Sequence, residues 1–202
     1  MNAPLDERMD TVYPYLVEAA AEAARVAAGV DPDRLDAPSR CGDWDLRTLV
    51  NHWVLYSAHG LEHRARRLQL PEDLTGRDFA ADEDWAGQYA AQLDRAVAAW
   101  SAAGTWDGDI DLGFARQPAP EVATLVWAEL VLHGWDVARA VGQEFRLSDG
   151  AAALLLHVVD KNAALYRQYE GFADAVPVAD DASVYERALA ASGRDPRRAV
   201  LS

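Results

Sequence analysis

The sequence predicts an all-α protein, a four-helix bundle followed by a short C-terminal helical extension. Three observations carry this prediction. Apolar residues recur at three- and four-residue spacing in four long stretches, as in helices that bury one face. Each stretch is bracketed by Gly, Pro or a capping Asp or Ser. Alternation is confined to the weak pattern of Ile110, Leu112 and Phe114, where a short strand or hairpin fits. Amphipathic helices joined by loops close most simply on one another.

The elements follow in order. Asp6 to Gly29 reads as the first helix, with Tyr13, Leu16, Val17, Ala20, Ala24 and Ala27 at helical spacing and Gly29 as a stop. Pro32, Pro38 and Gly42 break the next connection, and Asp45 can accept from the free amides of a first turn. The second helix is expected from Leu46 to Leu70, with a stripe of Leu46, Leu49, Val50, Trp53, Val54, Ser57 and Leu61. A loop from Pro71 to Ala81 leads to a third helix, capped by Asp82 and spanning Glu83 to Ala103. Pro120 suits the first turn of a fourth helix ending near Gly142. Ser148 or Asp149 opens a fifth helix to Tyr169, and Ser183 to Ala191 forms a short sixth. The expected domains are a bundle over 1–145 and a helical extension over 146–202, packed on the bundle.

Composition narrows the function. The 202 residues are 50% hydrophobic, enough for a sizeable core without disulfides. A formal charge of -14 argues against a nucleic-acid or anionic-membrane partner, which needs a basic face. The only dense basic run, Arg64, Arg66 and Arg67, reads as solvated surface. A single cysteine, Cys41, excludes an internal disulfide. Asp6, Glu7 and Asp10 stand where a signal peptide would be positive, so a cytoplasmic location is expected. Lysine occurs once, at Lys161, against eighteen arginines, the bias of a GC-rich genome.

The fourth helix carries the chemistry. Between Val122 and Ala138 the polar side chains are Thr124, Glu129, His133 and Asp136, and apolar residues occupy every side. Such a helix is buried. At 100° per residue, His133 lies ~40° to one side of Glu129 and Asp136 ~20° to the other, so the three form one polar strip. A buried carboxylate needs compensation. Either Glu129 pairs with a protonated His133, or both bind a metal ion. The second helix offers His52, His59 and His63, all within ~20° of one line. His52 lies beside Leu49 and Tyr56 at the flank of the apolar stripe, facing an inter-helix cleft. His59 and His63 sit nearer the Arg-rich end and read as surface, although their spacing leaves a rival metal site open.

Two motifs resemble a known family. Cys41-Gly42-Asp43-Trp44-Asp45-Leu46-Arg47-Thr48-Leu49-Val50-Asn51-His52 resembles the segment entering the second helix in the DinB-like superfamily. It is most similar to the actinobacterial branch of mycothiol-dependent maleylpyruvate isomerases. Glu129-Leu130-Val131-Leu132-His133-Gly134-Trp135-Asp136 resembles that branch's second metal motif. The resemblance covers roughly residues 10 to 142. It implies that His52, Glu129 and His133 are three ligands of one divalent metal, with mycothiol as a thiol cosubstrate. Zinc is the first expectation, and nickel, iron or manganese also suit mixed nitrogen and oxygen donors. The isomerases carry a further C-terminal domain with a catalytic arginine. The tail here, Val176 to Asp181 and Gly193 to Pro196, instead resembles a subgroup of the same superfamily without an assigned activity, which implies a substrate other than maleylpyruvate.

Three protein ligands leave a metal position open, as in catalytic zinc sites. Asp136 is a candidate to orient a ligand, although its spacing fits His52 or a substrate better than His133. A cap or a salt bridge with Arg139 explains Asp136 equally well. Trp44, Trp53, Trp127 and Trp135 read first as core, with Trp44, Trp53 and Tyr56 as candidates to line a pocket. Cys41 precedes a helix N-terminus but reads as a small packed residue. The expected function is metal-dependent transferase or isomerase chemistry on a small molecule with a thiol. The alternatives are a non-catalytic metalloprotein and a metal-free bundle. A homodimer is the preferred oligomeric state.

Overall fold

The computed structural model describes residues 5–39 and 41–197, with side-chain surroundings from residue 12 onward. The parts of the expected domains at 1–4 and 198–202, and the side chains of Asp6, Glu7 and Asp10, lie outside the described residues. Helix α1 (Leu5–Ala28) stops at Gly29. Asp45 caps α2 (Leu46–Trp53), its carboxylate accepting the Thr48 N–H at 2.8 Å. The expected second helix is a continuous rod but not one α-helix. It passes through a π-helical segment, Val54–His59, into α3 (Gly60–Ala65). In the π segment each amide reaches back five residues, which underwinds the rod and turns later side chains away from the line of earlier ones. The rod ends at Ala65 rather than Leu70. Arg67 takes a left-handed φ of 59°, and its guanidinium donates to the carbonyls of Thr105 and Asp107 at 2.9 and 2.8 Å.

A single turn, α4 (Glu72–Thr75), precedes α5 (Trp85–Trp100). Helix α5 starts after Asp84 rather than Asp82, because the Asp82 carboxylate accepts the Asp84 N–H at 2.9 Å and so braces the lead-in instead of the helix. Strands β1 (Asp109–Asp111) and β2 (Arg116–Pro118) form the hairpin hinted at by alternation, with Ile110 opposite Gln117. Helix α6 (Ala119–Ala140) carries Pro120 in its first turn. Helix α7 (Asp149–Gln168) is capped by Ser148, and α8 (Val184–Ala191) by a reciprocal Ser183–Glu186 capping box. The fold is all-α apart from the two-stranded hairpin.

The chain divides into two compact units, one through Phe145 and one from Arg146 onward. In the second, α7 packs on α8. In the first, α1 and the α2–α3 rod each pack on both α5 and α6, which makes a four-cornered bundle. Its core holds Trp53, Trp100, Trp106 and Trp127, all fully buried. Each indole donates to a backbone carbonyl, which satisfies the one polar atom it buries. Trp53 reaches Leu130 O at 2.9 Å, tying the rod to α6. Trp127 reaches Tyr15 O at 3.0 Å and Trp100 reaches Leu61 O at 2.9 Å, tying α6 to α1 and α5 to α3. Among the described residues no helix is long and apolar enough to cross a membrane.

Candidate metal centre

The Trp53–Leu130 bond sets one residue of α2 against one of α6, and each has a polar neighbour on its exposed side. His52 and Glu129 therefore meet: His52 Nε2 donates to Glu129 Oε1 at 2.7 Å. One turn along α6, His133 Nε2 lies 3.2 Å from the same oxygen. The His52 and His133 ring centroids are 4.7 Å apart. One donor atom from each of His52, Glu129 and His133 can be chosen so that all lie within 4.8 Å of one another. The side chains of the three are 24%, 31% and 12% exposed, so the cluster sits below the surface with a face open to solvent.

Electrostatics bind the cluster. Burial opposes ionisation of Glu129, yet the charge of His133 and hydrogen bonds from His133 and His52 hold its carboxyl well below the usual carboxylate range. Burial likewise opposes the charge on His133, but Glu129, Asp136 and Cys41 together raise its pKa well above the ordinary imidazole value. Asp136 is 2% exposed, and its Oδ2 stands 3.2 Å from His133 Nδ1. Contrary to the expectation from spacing, Asp136 faces its own helical neighbour. The i, i+3 offset brings both side chains over the same turn, and Nδ1 is the nitrogen that points that way.

The segment before α2 completes the surroundings. Gly42 takes a left-handed φ of 58°, which closes a tight turn from Ser39 to Trp44. Ser39 braces it, its hydroxyl donating to Trp44 O at 2.7 Å and accepting the Cys41 N–H at 3.2 Å. The turn folds back over the cluster. The Trp44 ring centroid lies 4.8 Å from that of His52 and 6.3 Å from that of His133. The Tyr56 ring centroid lies 4.6 Å from that of His52. Trp53, the third pocket candidate, is instead core: fully buried and packed on Tyr89 at 4.7 Å.

Two features escaped the sequence reading. Cys41, which by its sequence position reads as a small packed residue, places its Sγ 3.9 Å from His133 Nδ1, and Cys41, His133 and Asp136 form a second close donor set. Its nearness to the Asp45 cap was the available signal. The π-helical segment separates the histidines that α-helical spacing placed on one line. His52 faces α6, whereas the His59 ring packs on Phe79 at 5.2 Å. His63 donates through Nδ1 to His59 O at 2.8 Å. Among the described residues no third donor joins His59 and His63.

Residues 16–138 match the family described as mycothiol maleylpyruvate isomerase N-terminal domain. Two solved structures are similar, the mycothiol-dependent maleylpyruvate isomerase and a point mutant of it. They share 15% and 16% identity with this chain, each with a TM-score of 0.57 over 78% of this chain and 68% of theirs. At that identity the likeness establishes the fold. No curated protein matches the sequence.

Proposed function

This chain belongs to the mycothiol maleylpyruvate isomerase N-terminal domain family, and from that premise we propose that His52, Glu129 and His133 hold one divalent metal ion and that a small thiol of the mycothiol type is the cosubstrate. The observation that carries this reading is the convergence of two Nε2 atoms, from different helices, on one carboxylate oxygen at 2.7 and 3.2 Å. Donor atoms around a four-coordinate zinc at ~2.1 Å stand roughly 3.4 Å apart, so the residues fit an ion after small adjustments. Zinc is the first expectation, with nickel, iron and manganese compatible with the same donors.

The chain's own residues set the rest. Asp136 receives the Nδ1 side of His133, which fixes the ring with Nε2 toward the cluster. The Trp44 and Tyr56 rings both pack on His52 and limit its rotation. The exposed face of the cluster leaves room for a non-protein ligand, the pattern of catalytic rather than structural sites. A bound ion supplies a Lewis-acid position that lowers the pKa of a coordinated thiol. Transferase or isomerase chemistry on a small molecule follows as the reaction class.

The rival reading is a metal-free polar cluster, because the same ion pairs already neutralise Glu129. A non-catalytic metalloprotein is the other alternative. Elemental analysis of protein purified without a His-tag separates the first rival: about one metal per chain is expected, and protein that neither retains nor takes up metal would sink the proposal. Calorimetric titration with mycothiol addresses the second. Heat is expected from metal-loaded and not from metal-stripped protein, and silence in both removes the thiol.

A further inference from the structure

The His133 ring has two nitrogens, and donors gather at both. Nε2 faces Glu129 at 3.2 Å, within the cluster already described. Nδ1 faces Asp136 Oδ2 at 3.2 Å and Cys41 Sγ at 3.9 Å. One donor atom from each of Cys41, His133 and Asp136 can be chosen so that all lie within 4.8 Å of one another. Around a four-coordinate zinc, with bonds of ~2.3 Å to sulfur and ~2.1 Å to nitrogen or oxygen, tetrahedral geometry puts sulfur and nitrogen about 3.6 Å apart and nitrogen and oxygen about 3.4 Å apart. The observed spacings reach these values through small side-chain shifts.

Two elements hold the three donors. His133 and Asp136 are three residues apart on α6. Cys41 arrives from 92 positions away, on the turn that Gly42 closes with its φ of 58°. The Cys41 N–H is tied to Ser39 Oγ at 3.2 Å, so the backbone that carries the thiol is fixed before any ion arrives. Asp136 is 2% exposed and the His133 side chain 12% exposed, which keeps water from weakening their attraction for a cation. Cys41 is half-buried and stands toward solvent, at the side from which an ion can enter. The donor sets also differ in kind. His52, Glu129 and His133 supply nitrogen and oxygen, whereas this set contains sulfur, the donor that soft metal ions favour.

We propose that Cys41, His133 Nδ1 and Asp136 form a second metal site, for a thiophilic cation, on the far edge of the His133 ring from the metal centre. The Cys41 thiol releases its proton to solvent as the sulfur–metal bond forms. His133 gives its Nδ1 lone pair and keeps its N–H on Nε2, directed at Glu129. Glu129 then orients the ring, the part Asp136 plays when an ion sits on Nε2. A neutral imidazole has one lone pair to give, so the two sites fill alternately, and a soft ion at Cys41 withdraws a ligand from His52 and Glu129. The second site stands whether or not an ion binds at the first, because neither His52 nor Glu129 donates to it.

The test titrates cadmium into the full chain, stripped of metal and kept reduced. Cys41 is the chain's one thiol, so ultraviolet absorption from thiolate-to-cadmium charge transfer reports cadmium on Cys41. A band that saturates at one cadmium per chain is expected. Cys41→Ser should abolish it, and Asp136→Asn should weaken cadmium roughly tenfold or more. His52→Gln removes a ligand of the metal centre and touches none of the three donors, so the band and its midpoint should stay. Should Asp136→Asn fail to fold, the wild type, Cys41→Ser and His52→Gln decide. Absence of the band in the wild type, or an undiminished midpoint in folded Asp136→Asn, would overturn the proposal. So would saturation at half a cadmium per chain, the mark of an ion shared by two copies. Loss of the band in His52→Gln would overturn it too, because Cys41 would then be a further ligand of the first ion.

Discussion

Replacing Glu129 by Gln keeps the size of the side chain and removes its charge, at the oxygen on which His52 and His133 converge. Two effects follow, and they separate in one assay. The first concerns metal-free protein. Removing one partner of a fully buried ion pair costs ~3–5 kcal/mol, but this carboxylate is 31% exposed. Solvent screening discounts the loss to ~1–2 kcal/mol. For a chain of this size each kcal/mol moves Tm by about 2–4 °C, so Tm should fall by roughly 2–8 °C. The second effect concerns metal. At zinc about a hundredfold above Kd, linkage stabilises the wild type by ~2.7 kcal/mol, a rise of roughly 5–11 °C. Glu129→Gln should lose nearly all of that rise. Differential scanning fluorimetry with and without zinc reads both. The pH sense is fixed: the folded carboxyl titrates below its unfolded value, so its contribution is full above the unfolded pKa and fades as pH falls through the folded one. The gap between metal-free wild type and variant should therefore shrink in acid. An unchanged zinc-induced rise in the variant would refute the three-ligand reasoning, whatever happened to the metal-free Tm.

Three further outcomes follow. Gly134→Ala aims a methyl group into the Phe145 ring beside His133, and overpacking should cost ~1–3 kcal/mol, seen as a lower denaturant midpoint with unchanged slope. Asp45→Ala removes the bond to Thr48 N–H and should cost ~1 kcal/mol, with faster amide exchange confined to the first turn of α2; protection equal to wild type there would contradict the cap. His59 titrates near 4 in the folded chain against roughly 6.5 unfolded, so between those values the unfolded state binds more protons and stability is lost as pH falls. At ~1.4 kcal/mol per unit, discounted for partial exposure to about 2 kcal/mol, the loss should be visible between pH 6.5 and 5. His59→Gln should flatten that limb, and parallel curves for wild type and variant would show that His59 does not titrate there.

What the sequence conveyed depended on how local the cause was. The all-α class, the Asp45 cap, Pro120 in the first turn of α6 and the Ser148 and Ser183 caps rest on backbone sterics and hydrogen bonds within a few residues, so residue type alone indicates them. Asp82 was misplaced as a cap by two residues because three acidic groups, Asp82, Glu83 and Asp84, compete for the same free amides. Family membership was legible in the two motifs that contain His52, Glu129 and His133. A polar strip on an apolar helix is informative because buried charge is too costly to occur without compensation.

Tertiary structure decided the remainder. Which atoms of His52 and Glu129 meet depends on the seating of α2 against α6, fixed in part by the Trp53 indole on Leu130 O, a contact across 77 positions. The fold also turned Asp136 toward His133 and brought Cys41 beside it, both through packing. The π-helical segment is the clearest case. Val54–His59 contains no Gly or Pro to mark a break, so residue type does not announce the register shift that parts His59 from His52. The sequence by itself determined which side chains could bind an ion, because type and periodicity are local. Only the assembled bundle decided which of them share one point in space.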